Sequence, residues 1–240
     1  MIVIPMLGKS SRFFSAGYPI PKYQLPLGNE TVFAKSVRSF ESYFQKVPFL
    51  FLVRSDFDAI SFVSQEARRI GLKDFRIIEF AIETRGQAES VEMGVRDYAN
   101  DVPLLIFNID TIRHEFKMPE LSLVGDGFLE VFEAAGDGWS FIEPGRENRV
   151  IRTTEKQRIS NLCSNGLYYF SKIGLYRDAY QQSLSSGITV NGEIYIAPLY
   201  NFLIKQGYDI RFDVVGSHQI SHCGIPDDYE NLRSDWSRHK

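Results

Sequence analysis

Cysteine is nearly absent: Cys163 and Cys223 are the two in a chain of 240 residues. They have neither zinc-type spacing nor the pattern of a redox pair, so two reduced thiols in a cytoplasmic protein are expected. No long basic run occurs, and 27 Lys and Arg against 30 Asp and Glu give a net charge of −3. General nucleic-acid binding is therefore not expected, although local cations remain able to hold a phosphate. Long apolar runs are missing too. PFLFLV (48–53) is far too short to span a bilayer, and the opening MIVIPML lacks the basic flank of a signal peptide. No membrane partner is expected, and there are no repeats, low-complexity tracts or obvious linkers.

What is present is a soluble, core-forming composition, with 44% apolar and 24% charged residues, 19 Phe and 12 Tyr. The length suits one large domain. IVIPML, PFLFLVR, FRIIEF and PLLIFNID read as apolar strands. Between them, Phe33, Val37, Phe40 and Phe44, then Val63, Ala67 and Ile70, then Ala88, Val91, Val95 and Tyr98 recur at helical spacing. This βαβαβαβ order predicts an α/β fold, a Rossmann-like, mixed but mainly parallel sheet flanked by helices. The second half is less regular. FLEVFEA, WSFIEP, RVIRTTEK, GLYYFSK and DIRFDVV read as strands, with helices near 172–184 and 196–206 and a last short one. The expected organisation is one domain with a nucleotide-binding half (about 1–112) and an acceptor-binding half (about 113–240).

In open α/β sheets ligands sit beyond the carboxyl ends of the strands. Two polar segments fall there. LGKSSR (7–12) follows the first strand, and NID (108–110) closes the fourth. A P-loop would need a glycine five residues before the GK pair, where Val3 stands. What remains is a small-residue loop with Arg12, followed by Pro19, Pro21 and Lys22. The prolines stiffen the approach to Lys22. A surface loop with two solvated cations and a phosphate site are both consistent with that pattern. Asp110 at a strand mouth suits Mg²⁺, which takes one or two carboxylates plus phosphate and water oxygens; it equally suits a turn cap.

The segment Leu7-Gly8-Lys9-Ser10-Ser11-Arg12-Phe13, with Pro21-Lys22 after it, resembles the signature of the nucleoside-diphosphate-sugar pyrophosphorylases, the sugar-1-phosphate nucleotidyltransferases. Their pattern is A-G-x-G-[ST]-R-F followed by P-K. GYPIPKYQLPL (17–27) resembles a branch from bacterial capsule and surface-polysaccharide synthesis. Ser10 replaces the family's second glycine. The likeness extends along most of the chain. Thr84-Arg85-Gly86-Gln87-Ala88 resembles the loop that contacts the base, although Thr84 capping a helix is the alternative. Trp139-Ser140-Phe141 and Glu155-Lys156 resemble sugar-side elements, as does Asn165-Gly166-Leu167-Tyr168. Glu193 in Gly192-Glu193-Ile194-Tyr195 matches an acceptor-contacting acid, or is a carboxylate favoured at a helix start. A metal-binding aspartate is expected in a D-x-G-T pattern, yet the matching stretch is His222-Cys223-Gly224-Ile225.

The resemblance implies transfer of a nucleotidyl group from an NTP to a sugar 1-phosphate or similar phosphorylated acceptor, with release of pyrophosphate. It implies Arg12, Lys22 and Asp110 as catalytic residues, and Leu7, Gly8, Ser10, Ser11, Thr84, Gly86 and Gln87 at the nucleotide. Glu155, Lys156, Asn165, Gly166 and Glu193 would line the acceptor. Mg²⁺ would sit on Asp110, with Asp227 or Asp228 substituting for the missing acid or with phosphates completing the shell. Family members often form dimers or tetramers, so a homo-oligomer is an open expectation. Two alternatives compete. A GT-A-type glycosyltransferase would be expected to carry D-x-D, whereas NID offers Asp110 with Asn108 in the first place. A non-catalytic nucleotide-binding relative would account for Ser10 and His222.

Overall fold

The computed structural model describes residues 1–238. The chain begins with β1 (Ile2–Pro5), α1 (Ser11–Ser15), the short pair β2 (Pro26–Leu27) and β3 (Glu30–Thr31), and α2 (Val32–Arg38). Next come β4 (Phe49–Arg54), α3 (Ala59–Arg69), β5 (Phe75–Phe80), α4 (Gln87–Val95), β6 (Leu104–Phe107), β7 (Thr111–Arg113) and α5 (Leu121–Val124). The strands β8 (Gly127–Glu133), β9 (Ser140–Pro144), β10 (Val150–Glu155) and β11 (Leu162–Phe170) then run in succession. Helices α6 (Ile173–Ser186) and α7 (Tyr200–Lys205), strands β12 (Ile210–Val214) and β13 (Ile220–His222), and α8 (Pro226–Arg238) complete the order. The class is α/β with a mixed sheet flanked by helices, as the strand–helix alternation predicts.

Two compact units interleave along the chain. One comprises Met1–Val3, Glu83–Phe107 and Lys117–Ser217; the other comprises Ile4–Ile82, Asn108–Phe116 and His218–Lys240. In the first, β11 is the hub. It pairs antiparallel with β6, β8 and β9, while β12 runs parallel to β8 and β1 parallel to β6. Every residue from Cys163 to Phe170 is buried, the polar Ser164 and Asn165 included. At Asn165–Gly166 the register with β8 shifts between Ser164 and Tyr168, and Gly166 takes φ 91. That is a bulge, and glycine meets its left-handed backbone demand without strain.

In the second unit β4 and β5 run parallel, and the Met6 N–H beyond β1 donates to the Leu52 carbonyl at 2.7 Å. Phe49 to Val53 are all at most 1% exposed, as a strand covered on both faces must be. Thr31 caps α2, its Oγ1 accepting from the Ala34 N–H at 3.1 Å. The predicted helical face Phe33–Val37–Phe40–Phe44 is entirely buried, but α2 stops at Arg38 and a separate 3₁₀ turn covers Glu41–Tyr43. Both cysteines are free and buried. No helix among the described residues is long and apolar enough to cross a membrane.

Candidate active site

In the second unit, β1 feeds a loop that ends at Ser10, where the backbone turns left-handed (φ 51, ψ 28) before α1 starts. The Ser10 carbonyl accepts the N–H groups of Phe13 and Phe14 at 2.9 and 3.1 Å. Phe13 is the anchor of that turn. It is 1% exposed and packs with Leu25, Leu27, Val32, Ile112, Cys223 and Tyr229. Pro21, extended at φ −65 and ψ 151, then leads into a 3₁₀ turn that starts at Lys22. The Lys22 ammonium lies 2.5 Å from Asp110 Oδ2, and its backbone N–H reaches Ser10 Oγ at 3.2 Å.

Asp110 follows the apolar run of β6 and is held by a distant stretch of chain. β13 pairs antiparallel with β7, setting His222 opposite Thr111. The next residue, Cys223, donates its N–H to the Asp110 carbonyl at 2.9 Å and lies with its Sγ 3.3 Å from the same oxygen. A Cβ at Gly224 would stand 3.2 Å from Asp110 Oδ2, so the smallest residue faces the carboxylate. Burial pushes the Asp110 carboxyl up, but the charge and hydrogen bond of Lys22, with His222 adding to them, hold it below the ordinary aspartate range. Burial pulls the His222 imidazole down, opposed by the Asp110 charge. Asp228 is pushed up by burial and then by Asp227 and Asp110, whereas Asp227 is exposed. Arg12 projects from α1 as an exposed cation. The structure therefore joins Ser10, Lys22 and Asp110 with the His222–Gly224 stretch, and gives Arg12 no ion pair with any of them.

The first unit holds the predicted residues Thr84, Gly86, Gln87, Glu155, Lys156, Asn165, Gly166 and Glu193. Gly86 is the N-cap of α4, at φ 111. A Cβ there would fall 2.7 Å from the Ile194 carbonyl oxygen and 2.9 Å from its nitrogen. Glycine is thus required by the chain's own backbone: Ile194 donates to Arg85 O at 2.6 Å and accepts from the Ala88 N–H at 3.1 Å. Thr84 does not cap the helix; its hydroxyl reaches the Gly86 carbonyl at 3.2 Å and Ser90 Oγ at 2.7 Å. The loop of Thr84, Gly86 and Gln87 is consequently fastened to the segment carrying Glu193.

Glu155 ends β10 and is 9% exposed; the Ser140 hydroxyl donates to its Oε2. Lys156, at φ 54, is fixed by its N–H to the Trp139 carbonyl at 2.9 Å, and its ammonium donates to the Tyr195 hydroxyl. Tyr195 was not among the residues that sequence reasoning selected, although it stands two places after Glu193. Asn165 is 2% exposed. Its Nδ2 donates to Glu130 Oε2 at 2.8 Å and its Oδ1 accepts from the Leu167 N–H at 3.0 Å, so its side chain serves the bulge. In the second unit Leu7 and Gly8 lie along the loop from β1 to α1 and Ser11 is the first residue of α1, with Gly8 and Ser11 exposed.

A nucleoside-diphosphate-sugar pyrophosphorylase from Vibrio cholerae RC9 superposes on this chain with a TM-score of 0.92 at 45% identity, over 98% of this chain and 100% of that one. The chain belongs to the nucleoside-diphosphate-sugar pyrophosphorylase family. Like other members it is a nucleotidyltransferase, placing a nucleotidyl group on a sugar phosphate. The pyrophosphorylase fold is shared more distantly with a UDP-glucose pyrophosphorylase solved with UDP-glucose (TM-score 0.79, 15% identity, 100% of this chain and 98% of that one). It is shared also with an inositol-1-phosphate CTP transferase from T. maritima (TM-score 0.74, 15% identity, 98% and 95% covered). No family model and no curated protein matches the chain.

Proposed function

We propose that this pyrophosphorylase couples an NTP to a sugar 1-phosphate or closely related phosphorylated acceptor for surface-polysaccharide precursor synthesis in the cytoplasm. The observation that carries the site assignment is the 2.5 Å pair between Lys22 and Asp110, 88 positions apart in sequence, walled by His222, Cys223 and Gly224. The GYPIPKYQLPL segment around Lys22 supports the polysaccharide branch.

In this reading the acceptor's phosphate oxygen, already ionised near neutral pH, attacks the α-phosphorus of the NTP. A P–O bond forms on that side as the bond to pyrophosphate breaks opposite it. The protein's work is positioning and charge neutralisation. Lys22 uses one ammonium donor on Asp110 and keeps two for phosphate oxygens of the α-phosphate and the acceptor. Arg12, exposed on α1, takes the leaving pyrophosphate. Lys156, oriented by Tyr195, anchors the acceptor phosphate, while Glu155 and Glu193 accept from acceptor hydroxyls. Leu7, Gly8, Ser10 and Ser11 pass under the phosphates, and Thr84, Gly86 and Gln87 lie at the base.

The donor set at Asp110 fits Mg²⁺. It offers a carboxylate kept ionised, and among the described residues no group of three or more His, Cys, Asp or Glu side chains is gathered into a protein-built cage. Such a site suits an ion that draws most of its ligands from phosphate and water. Asp110 would hold it, with Asp227 or Asp228 as the supplementary acid; Asp228 feels the Asp110 charge. When bound, the ion supplies charge neutralisation on the triphosphate.

The test is a screen of four NTPs against several sugar 1-phosphates for pyrophosphate release with Mg²⁺, run on the parent enzyme and on Lys22→Ala. Release by the parent and a loss of at least about 10²-fold in the variant are expected. Consumption of a pre-formed NDP-sugar with no pyrophosphate chemistry, or normal turnover by Lys22→Ala, would overturn the reading.

A further inference from the structure

We propose that Ser10 is a positioning residue for Lys22: its left-handed backbone places its hydroxyl to clamp the Lys22 amide, fixing the lysine relative to the phosphate loop. The inference rests on the reading that Lys22 contacts the reacting phosphates. Three observations carry it. Ser10 sits at φ 51 and ψ 28, a region that non-glycine residues other than Asn and Asp visit rarely. Its Oγ is 3.2 Å from the Lys22 nitrogen, across 12 positions of chain. Lys22 in turn projects its ammonium to Asp110 at 2.5 Å.

The intervening chain explains why a clamp is needed. Between the end of α1 and Lys22 lie Ala16, Gly17, Tyr18, Pro19, Ile20 and Pro21, which form no regular element and include a glycine at φ 88. Pro19 and Pro21 have no N–H, so within Pro19–Lys22 the backbone donors are those of Ile20 and Lys22. The Lys22 donor is taken by a side chain of the phosphate loop itself. A glycine at position 10 would adopt the same backbone with less strain but could make no such bond. The serine keeps the turn and adds a tether, so the departure from the family pattern reads as a gain of function for the loop. Inference here runs from an observed backbone outlier to its role.

Two measurements on the full-length enzyme test this. Amide hydrogen exchange reads the tether directly. Ser10→Gly should speed exchange at Lys22 by about tenfold or more, leaving amides of β4 unchanged. Steady-state kinetics read its consequence. Ser10→Gly should lower kcat by about 2- to 12-fold, as expected for one net hydrogen bond, with each KM changed by less than about twofold. Ser10→Asn, which tolerates the left-handed region and offers an acceptor, should recover part of both losses. In a Lys22→Ala background, Ser10→Gly should cause no further loss of kcat.

Unchanged exchange at Lys22 in Ser10→Gly would show that the tether does not exist. Faster exchange with parental kcat, or an equal loss of kcat in both backgrounds, would show that it does not position the lysine. Normal turnover by Lys22→Ala would instead refute the underlying assignment of Lys22, a distinct result. Should Ser10→Gly fold poorly, Ser10→Ala compared with Ser10→Asn makes the same contrast, and equal behaviour of those two would overturn the proposal.

Discussion

Glu155 is pushed above the ordinary glutamate range chiefly by burial, with the Ser140 hydroxyl and Lys156 opposing and Glu193 adding to the push. The folded protein therefore holds this proton more tightly than the unfolded chain does. Its stabilising contribution is present at low pH and is lost as pH rises from roughly 4.3 through the raised folded value. Glu155→Gln should raise Tm at pH 7.5, with the gain shrinking toward pH 4, while the KM for the acceptor rises; thermal melts and acceptor titrations check the two halves. Gly86 gives a second residue-level expectation. With Ile194 backbone atoms 2.7 and 2.9 Å from any Cβ, Gly86→Ala should destabilise by about 2–4 kcal/mol in denaturant melts, combining overpacking with a strained φ. At this scale the sequence singled out Gly86 as a glycine that allows close backbone approach at the base-contacting loop, and its φ of 111 is one that only glycine tolerates. It could not say that the approaching group was the chain's own Ile194. Asn165 is a related case. Its position beside a sugar-side glycine suggests an acceptor contact, and in the structure its amide also bonds Glu130 and the Leu167 N–H at the bulge.

At the scale of elements, α2 shows how burial periodicity and helicity part company. Phe40 and Phe44 continue the spacing of Phe33 and Val37, but each is covered by rings: Phe40 by Phe49 and Phe116, Phe44 by Phe49. A 3₁₀ turn satisfies that burial as well as an α-helix does, and the Ser39 hydroxyl accepts the Arg113 N–H at 2.9 Å at the break. The C-terminal half of α2 is tied by charge to Glu30, the residue before its N-cap. Glu30 receives Lys35 at 3.0 Å and Arg38 at 2.8 Å, with Arg69 at 3.8 Å. Burial raises its carboxyl, but Lys35 and Arg38 outweigh that and leave it below the ordinary range. Its contribution is therefore present above roughly pH 4.3 and is lost as pH falls through the depressed folded value. Glu30→Gln should cost about 1–3 kcal/mol at pH 7 and little below pH 3, as followed by urea melts across pH. Helix α8 closes the same unit: the Tyr229 hydroxyl donates to the Pro26 carbonyl at 2.6 Å and Tyr18 donates to Glu230. Tyr229→Phe should lose about 1 kcal/mol, and Tyr229→Ala, emptying a site 1% exposed beside Phe13, about 3–5 kcal/mol.

For the whole molecule, the chemistry needs two polyanions neutralised. The protein is itself slightly acidic, with a net charge of −3, so the cations must be local. Under the proposed function Lys22, Arg12 and Lys156 are those cations. Removal of divalent ions with a chelator should abolish pyrophosphate release, and added Mg²⁺ should restore it, as read by a phosphate-coupled assay. The order of strands and helices in the first half was legible because fully covered strands and amphipathic helices leave periodic apolar signatures. A mixed sheet was expected as well, but which strands make it mixed was not legible. β6 meets parallel β1 and antiparallel β11, a choice made by tertiary pairing that no local pattern encodes. β7 and β13 were missed altogether, since three-residue strands carry no periodic signal.

A small-residue turn, a stiffened lysine and a carboxylate at a strand end are local properties of the chain, legible in the sequence as candidates for a phosphate site, and the likeness of those motifs to a known family supplied the kind of chemistry. Only the folded structure decided that Lys22 meets Asp110, that His222 and Gly224 border that carboxylate, and that a serine at position 10 bridges to the lysine. Those are juxtapositions between distant segments, set by topology and packing, and short-range sequence patterns do not specify them.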